Sequence, residues 1–167
     1  VSGYSGTGKS ALVREVHKPI TESHGYFIEG KFDQFQRAVP YFAILKAFEE
    51  MTNILLTESQ SVLDGFRISI QEAVGTEGKV ITDVIPQLEK IIGPQPPVPE
   101  VGGAEAQNRF NYVFRKLIHV LASKEHPLVL FIDDLQWADS SSLSLLQVLM
   151  TDRDSKHLLC ICAYRDN

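Results

Sequence analysis

Cysteine is scarce in this chain, with two residues in 167, Cys160 and Cys162. They alternate with apolar neighbours in "LLCICAY", and side chains at i and i+2 share one face of a strand. No His or second Cys pair stands at ligand spacing beside them. Two buried, reduced thiols are therefore expected rather than a metal pair, in a reducing, cytoplasmic setting. A basic excess is also missing. The 21 Asp and Glu against 16 Lys and Arg give a formal net charge of −5, which speaks against a general nucleic-acid binder. No apolar run approaches the ~20 residues needed to cross a bilayer. Nor does a cationic stretch lead into an apolar run, as in a signal peptide, so no membrane contact is expected of this segment. Internal repeats are lacking too, and the five histidines follow no usable pattern.

The remainder is ordinary for a folded domain. Hydrophobic residues make up 44% and charged residues 22%, which argues against disorder. A chain of this length buries about two-thirds of its unfolded surface. "KSALVREV" places Leu12, Val13 and Val16 on one helical face, with Pro19 weakening its continuation. "GYFIEGKF" reads as a strand bounded by glycines. "YFAILKAFEEMTNILL" carries Tyr41, Leu45, Phe48, Thr52 and Leu55 at helical spacing behind Pro40. Further helices are expected around Val62–Val74 and Asp83–Ile92. The stretch from Gly93 to Gly103 holds four prolines and three glycines and reads as an extended loop. Phe110, Val113, Phe114, Leu117, Ile118 and Leu121 then mark an amphipathic helix. "PLVLFIDD" is a continuous apolar run, expected of a strand covered on both faces. "SLSLLQVLM" reads as a helix and "HLLCICAYR" as a second buried strand. Alternating strands and helices predict an α/β layer architecture with a parallel sheet.

Chemistry concentrates at three places. "GYSGTGKS", residues Gly3, Tyr4, Ser5, Gly6, Thr7, Gly8, Lys9 and Ser10, satisfies every defined position of GxxxxGK[ST]. Glycines at Gly3, Gly6 and Gly8 let the backbone curl its N–H groups around phosphate oxygens, and a following helix adds its positive end. Lys9 is placed to reach the β- and γ-phosphates, and the Ser10 hydroxyl to ligate Mg²⁺. A chance match in a chain of this size is on the order of one in a hundred or less. "LVLFIDDLQWAD" supplies a second anchor, a buried strand ending in acids at the sheet edge where ligands of α/β folds gather. Asp133 is the candidate Mg²⁺ partner through water, and Asp134 the candidate to orient or deprotonate an attacking water. The plainer alternative is two acids that end a strand. Arg165 closes the other apolar strand in "CAYRDN", either to sense a γ-phosphate or as a solvated strand-end arginine. Glu105 and Arg109 are spaced for a helical surface ion pair, and Lys31 and Asp33 in "GKFDQF" have structural roles as their simplest explanation.

Together, "GYSGTGKS", "GKFDQFQRAVPYFAI", "IIGPQPPVPE", "EAQNRF", "HPLVLFIDDLQWADSSSL" and "AYRDN" resemble the AAA-like ATPase module of large multidomain signalling kinases. That module is similar to the STAND class of signal-transduction NTPases and to origin-recognition-like AAA domains. The resemblance spans nearly the whole chain. It implies a three-layer P-loop NTPase fold with a mainly parallel sheet, ATP rather than GTP, and Mg²⁺. It also implies a switch acting on neighbouring domains of the same polypeptide or on self-association. Gly3, Gly6, Gly8, Lys9, Ser10, Asp133 and Asp134 match the family motifs residue by residue, and Arg165 matches its strand-end sensor arginine. At Asp134 many AAA enzymes have Glu, and the shorter acid stands farther from the water.

The expectation is an ATP-binding, slowly hydrolysing regulatory module over residues 1–167, with a helical insertion at about 40–123. Catalytic roles fall to Lys9, Asp134 and Arg165. The alternatives are an ATP-stabilised scaffold without useful turnover and, against the acidic charge, a DNA-associated initiator-type ATPase. The chain begins with Val1 at the last residue of the loop's own strand, and the resemblance implies a further strand after Asn167, so truncation at both ends is expected, with a first strand and a C-terminal part missing.

Overall fold

The computed structural model describes residues 1–2, 13, 15, 17–36 and 38–165. The chain divides into two compact units, one formed by Val1–Ala47 with Ala122–Asn167 and the other by Phe48–Leu121. Each is built differently.

In the first unit, helix α1 (His17–Glu22) leads into strand β1 (Tyr26–Lys31). Helix α2 (Phe42–Leu55) begins in this unit and runs across the boundary at Ala47. Strand β2 is Leu128–Asp133 and strand β3 Leu158–Cys162. The strands form a sheet in the order β1-β2-β3, parallel throughout. In β2 the residues from Leu128 to Ile132 are all buried, as a strand covered on both faces requires. Alternation divides the side chains: Phe131 and Ala163 pack with Val13, Phe27 and Ile161 on one face, while Ile28, Leu130 and Cys160 line up on the other. Gly30 belongs to that second face, and a side chain there would overlap the backbone carbonyl of Ala43 at the start of α2. A bare strand residue is what lets helix and sheet approach so closely.

The second unit is helical among its described residues. With α2 come helices α3 (Gln60–Val74), α4 (Gly78–Thr82), α5 (Glu89–Ile92) and α6 (Gly103–Leu121). Phe66, Ile70 and Val74 of α3 are buried, as are all six apolar positions read from the α6 pattern. Phe48 and Phe114 meet edge to face with centroids 4.9 Å apart, a favoured aromatic geometry. Side chains of α3 satisfy the end of α5: Arg67 Nε donates to the Ile91 carbonyl at 2.7 Å and Gln71 Nε2 to the Ile92 carbonyl at 2.8 Å.

A separate helix, His17–Glu22, runs through Pro19; near a helix start the missing proline N–H costs nothing, because that group has no partner in the first turn. Three local expectations need correction. The helix expected over Asp83–Ile92 is broken into a turn, a 3₁₀ turn at Pro86–Leu88 and the short α5. Pro86 disfavours helical backbone at the preceding residue, and Ile85 sits at φ −126°, ψ 74°. Tyr41 precedes α2 at φ 62°, and the buried face of the helix runs through Ile44, Ala47, Phe48, Met51, Thr52 and Leu55 rather than Leu45. Strand β3 is half-buried instead of buried, and Cys160 and Cys162 are half-buried free thiols. No helix among the described residues is long and apolar enough to cross a membrane.

Candidate functional site

The acids at the end of β2 stand where the parallel strands release the chain. Lys31 of β1 is in register with Asp133, and the ladder continues past both strand ends: Phe32 N–H donates to the Asp133 carbonyl at 3.2 Å and Ala163 N–H to the Ile132 carbonyl at 2.8 Å. Asp134 then leaves the strand in the left-handed region at φ 54°, ψ 42°, a conformation Asp tolerates better than most residues. Its N–H donates to Oδ1 of Asp133 at 2.8 Å, and a 3₁₀ turn, Leu135–Trp137, follows. Leu135 N–H donates to the Ala163 carbonyl at 3.0 Å, tying this turn to the end of β3.

Asp134 is buried at 7% exposure and its carboxylate is surrounded by donors. Gln136 Nε2 donates to Oδ1 at 2.9 Å and Arg165 Nε donates to the same oxygen at 3.1 Å. Oδ2 faces Lys31 Nζ at 3.4 Å and Arg165 Nη2 at 3.5 Å. Burial pushes the Asp134 carboxyl up. The hydrogen bonds from Gln136 and Arg165 and the charges of Arg165 and Lys31 outweigh it, holding the acid below the ordinary carboxylate value. The carboxylate is therefore ionised at neutral pH, with its charge shared by two cations.

A cavity of about 260 Å³ opens beside it, lined by Lys31, Asp33, Phe35, Asp134, Trp137 and Arg165 among others. Asp33 shapes one wall, since its Oδ1 accepts the Phe35 N–H at 2.7 Å and its carbonyl the Gln36 N–H at 3.1 Å. This turn holds Phe35 out at 84% exposure. Further along, Asp139 caps helix α7 (Ser140–Thr151), its Oδ1 accepting Ser142 N–H at 2.9 Å.

The start of the chain reaches the same sheet edge. Ser2 forms a parallel bridge with Tyr164, the Tyr164 N–H donates to the Val1 carbonyl at 3.2 Å, and the Val1 amino group donates to the Cys162 carbonyl at 2.7 Å. Ser2 immediately precedes Gly3 as Tyr164 precedes Arg165.

Of the sequence-read residues, Asp133, Asp134, Arg165 and Lys31 thus come together. The loop positions Gly3, Tyr4, Ser5, Gly6, Thr7, Gly8, Lys9 and Ser10 lie outside the described residues, as do Leu12 and Val16. Among the described residues no group of three or more His, Cys, Asp and Glu is gathered as a metal cage. Arg109, read as one half of a surface pair, donates through Nη1 to the Pro99 carbonyl at 2.8 Å. Gln136 escaped the sequence reading altogether. Its place two residues after Asp134 was visible, but its link to the far strand end was not.

No solved structure matches this chain. The hybrid signal transduction histidine kinase G of Dictyostelium discoideum is 40% identical over 150 residues, which cover 90% of this chain and 4% of that protein. The chain thus spans a small fraction of that relative's length. A family profile, the AAA ATPase domain, matches residues 1–161, in keeping with the motifs and the parallel sheet. The chain belongs to the AAA ATPase domain family.

Proposed function

We propose that this chain binds ATP with Mg²⁺ at Gly3–Ser10 and hydrolyses it slowly, as the regulatory module of a multidomain signal-transduction protein. The observation that carries this reading is the bridge from Ser2 to Tyr164. It brings the residue before the glycine loop to the sheet edge that also holds Asp133, Asp134 and Arg165. In this reading the backbone from Gly3 through Tyr4, Ser5, Gly6, Thr7 and Gly8 cradles the phosphates, and Lys9 reaches their β- and γ-oxygens.

The donor set suits Mg²⁺, a hard cation that takes oxygen ligands and keeps waters. Ser10 would supply a hydroxyl, and the Asp133 carboxylate, with Oδ1 already accepting the Asp134 N–H, would hold the ion through water. Bound Mg²⁺ supplies neutralising charge to the phosphate oxygens. Asp134 orients water, and Arg165 reports the γ-phosphate.

Asp134 is engaged by Gln136, Arg165 and Lys31. An acid so occupied supports slow rather than fast turnover, and it also favours the second reading, an ATP-stabilised scaffold that does not turn over. The similarity to a small part of a hybrid signal transduction histidine kinase supports neighbouring domains of the same polypeptide as what the module controls; self-association and a cytoplasmic setting belong to the same proposal. We take residues at about 40–123, which include the helical unit Phe48–Leu121, as a helical insertion in the module.

The test is ATP turnover beside ATP binding. Asp134→Asn is expected to lower turnover with binding nearly kept, and Asp133→Asn to weaken the Mg²⁺-dependent part of binding. A protein without turnover above background before either change supports the scaffold. One that binds no ATP contradicts both readings.

A further inference from the structure

Gln136 engages Asp134 and Arg165 at once. Its Nε2 donates to Oδ1 of Asp134 at 2.9 Å, and its Oε1 accepts the backbone N–H of Arg165 at 3.2 Å. The amide orientation follows from the partners. Reversed, its oxygen would face a carboxylate and its NH₂ an N–H group.

The two oxygens of Asp134 are consequently unlike. Oδ1 is held by the Gln136 amide, which belongs to the acid's own turn, and by Arg165 Nε. Oδ2 is met at longer range by Lys31 and Arg165, whose side chains are 68% and 46% exposed. Exposed cations on long side chains are loosely committed to one partner. An incoming anion competes for them, whereas the neutral amide has no such reason to leave.

We propose that Gln136 is a positioning residue: its amide pins Oδ1 of Asp134 and the Arg165 backbone in one bridge, so that the carboxylate keeps its direction when the guanidinium leaves it. Oδ2 is then the oxygen that meets water. This last step rests on the reading of Asp134 as the group that orients water. Only a side chain with a donor and an acceptor on one planar end makes both contacts. Gln136→Met keeps the length and removes both, and Gln136→Glu sets a second carboxylate against Asp134.

The test is a double-mutant cycle between Asp134→Asn and Arg165→Ala, read by urea unfolding in the parent and in the Gln136→Met background. The pair is expected to couple by about fivefold in the unfolding constant in the parent, and less than about twofold once Gln136 is replaced. A Gln136 that merely adds stability would shift all members alike and leave the coupling unchanged, which overturns the proposal. Should Gln136→Met fail to fold, side-chain amide exchange in the unsubstituted protein decides. Gln136 Nε2–H is expected to exchange at least about tenfold more slowly than exposed glutamine amides, and equal exchange overturns the proposal. With ATP, Gln136→Met should lower turnover about tenfold with affinity changed less than about twofold; equal loss of both again overturns it. An unsubstituted protein without turnover contradicts the hydrolytic reading instead, and the coupling alone then decides the role of Gln136.

Discussion

Ser2 and Tyr164 are joined as neighbours in a parallel ladder, with the Tyr164 N–H donating to the Val1 carbonyl at 3.2 Å. Residues more than 150 positions apart in sequence are therefore neighbours at one sheet edge. The backbone makes this link, since the Tyr164 side chain is 43% exposed. Tyr164→Pro removes the N–H and should cost about 1–3 kcal/mol in urea unfolding, with weaker ATP binding. Tyr164→Ala, which keeps the N–H, should change both only slightly. Equal effects of the two substitutions would show that the side chain, and not the ladder, makes the connection.

Gly30 gives a sharper test of the sheet. Gly30→Ala drives a methyl group into the Ala43 carbonyl oxygen, and backbone there cannot swing aside as a flexible side chain would. A loss of about 1–3 kcal/mol is expected, measured by urea denaturation. An unchanged midpoint would contradict the close approach of α2 to β1.

How far the fold could be read from the sequence follows from how local each signal is. The apolar run of β2 and the six apolar positions of α6 announce themselves within a few residues, because burial on two faces or on one helical stripe leaves a periodic trace. The break at Pro86 is equally local, because a proline disfavours helical backbone at the residue before it, and there it overrides the periodicity of Asp83–Ile92. The half-exposure of β3 could not, because a strand's covering is a tertiary property. Asp133 and Asp134 were legible as strand-end acids. The partners of Asp134 were not: Lys31 comes opposite Asp133 through strand register, and Gln136 meets Arg165 through the join between the ends of β2 and β3.

The thiols of β3 have a pH signature. Burial, and to a lesser degree the neighbouring Cys162, push the Cys160 thiol up to about 12; burial raises Cys162 as well. The folded protein thus holds these protons more tightly than the unfolded chain. For Cys160 the resulting contribution to stability is complete below the ordinary thiol value of about 8.5 and is lost as pH rises from there through about 12. At pH 8 iodoacetamide should modify Cys160 at least about tenfold more slowly in the folded protein than in urea. Equal rates would mean that the strand leaves the thiol open.

The central claim is that Gly3–Ser10 is a nucleotide site. Titration of the protein with a fluorescent ATP analogue and Mg²⁺, beside its Lys9→Ala variant, tests it most directly. Lys9 supplies the side-chain positive charge of that loop, and losing a charge-assisted contact of this kind should weaken binding about tenfold or more. Saturable binding by the parent and its loss in Lys9→Ala, with circular dichroism unchanged, is the predicted result. Equal affinity in two equally folded proteins would contradict it.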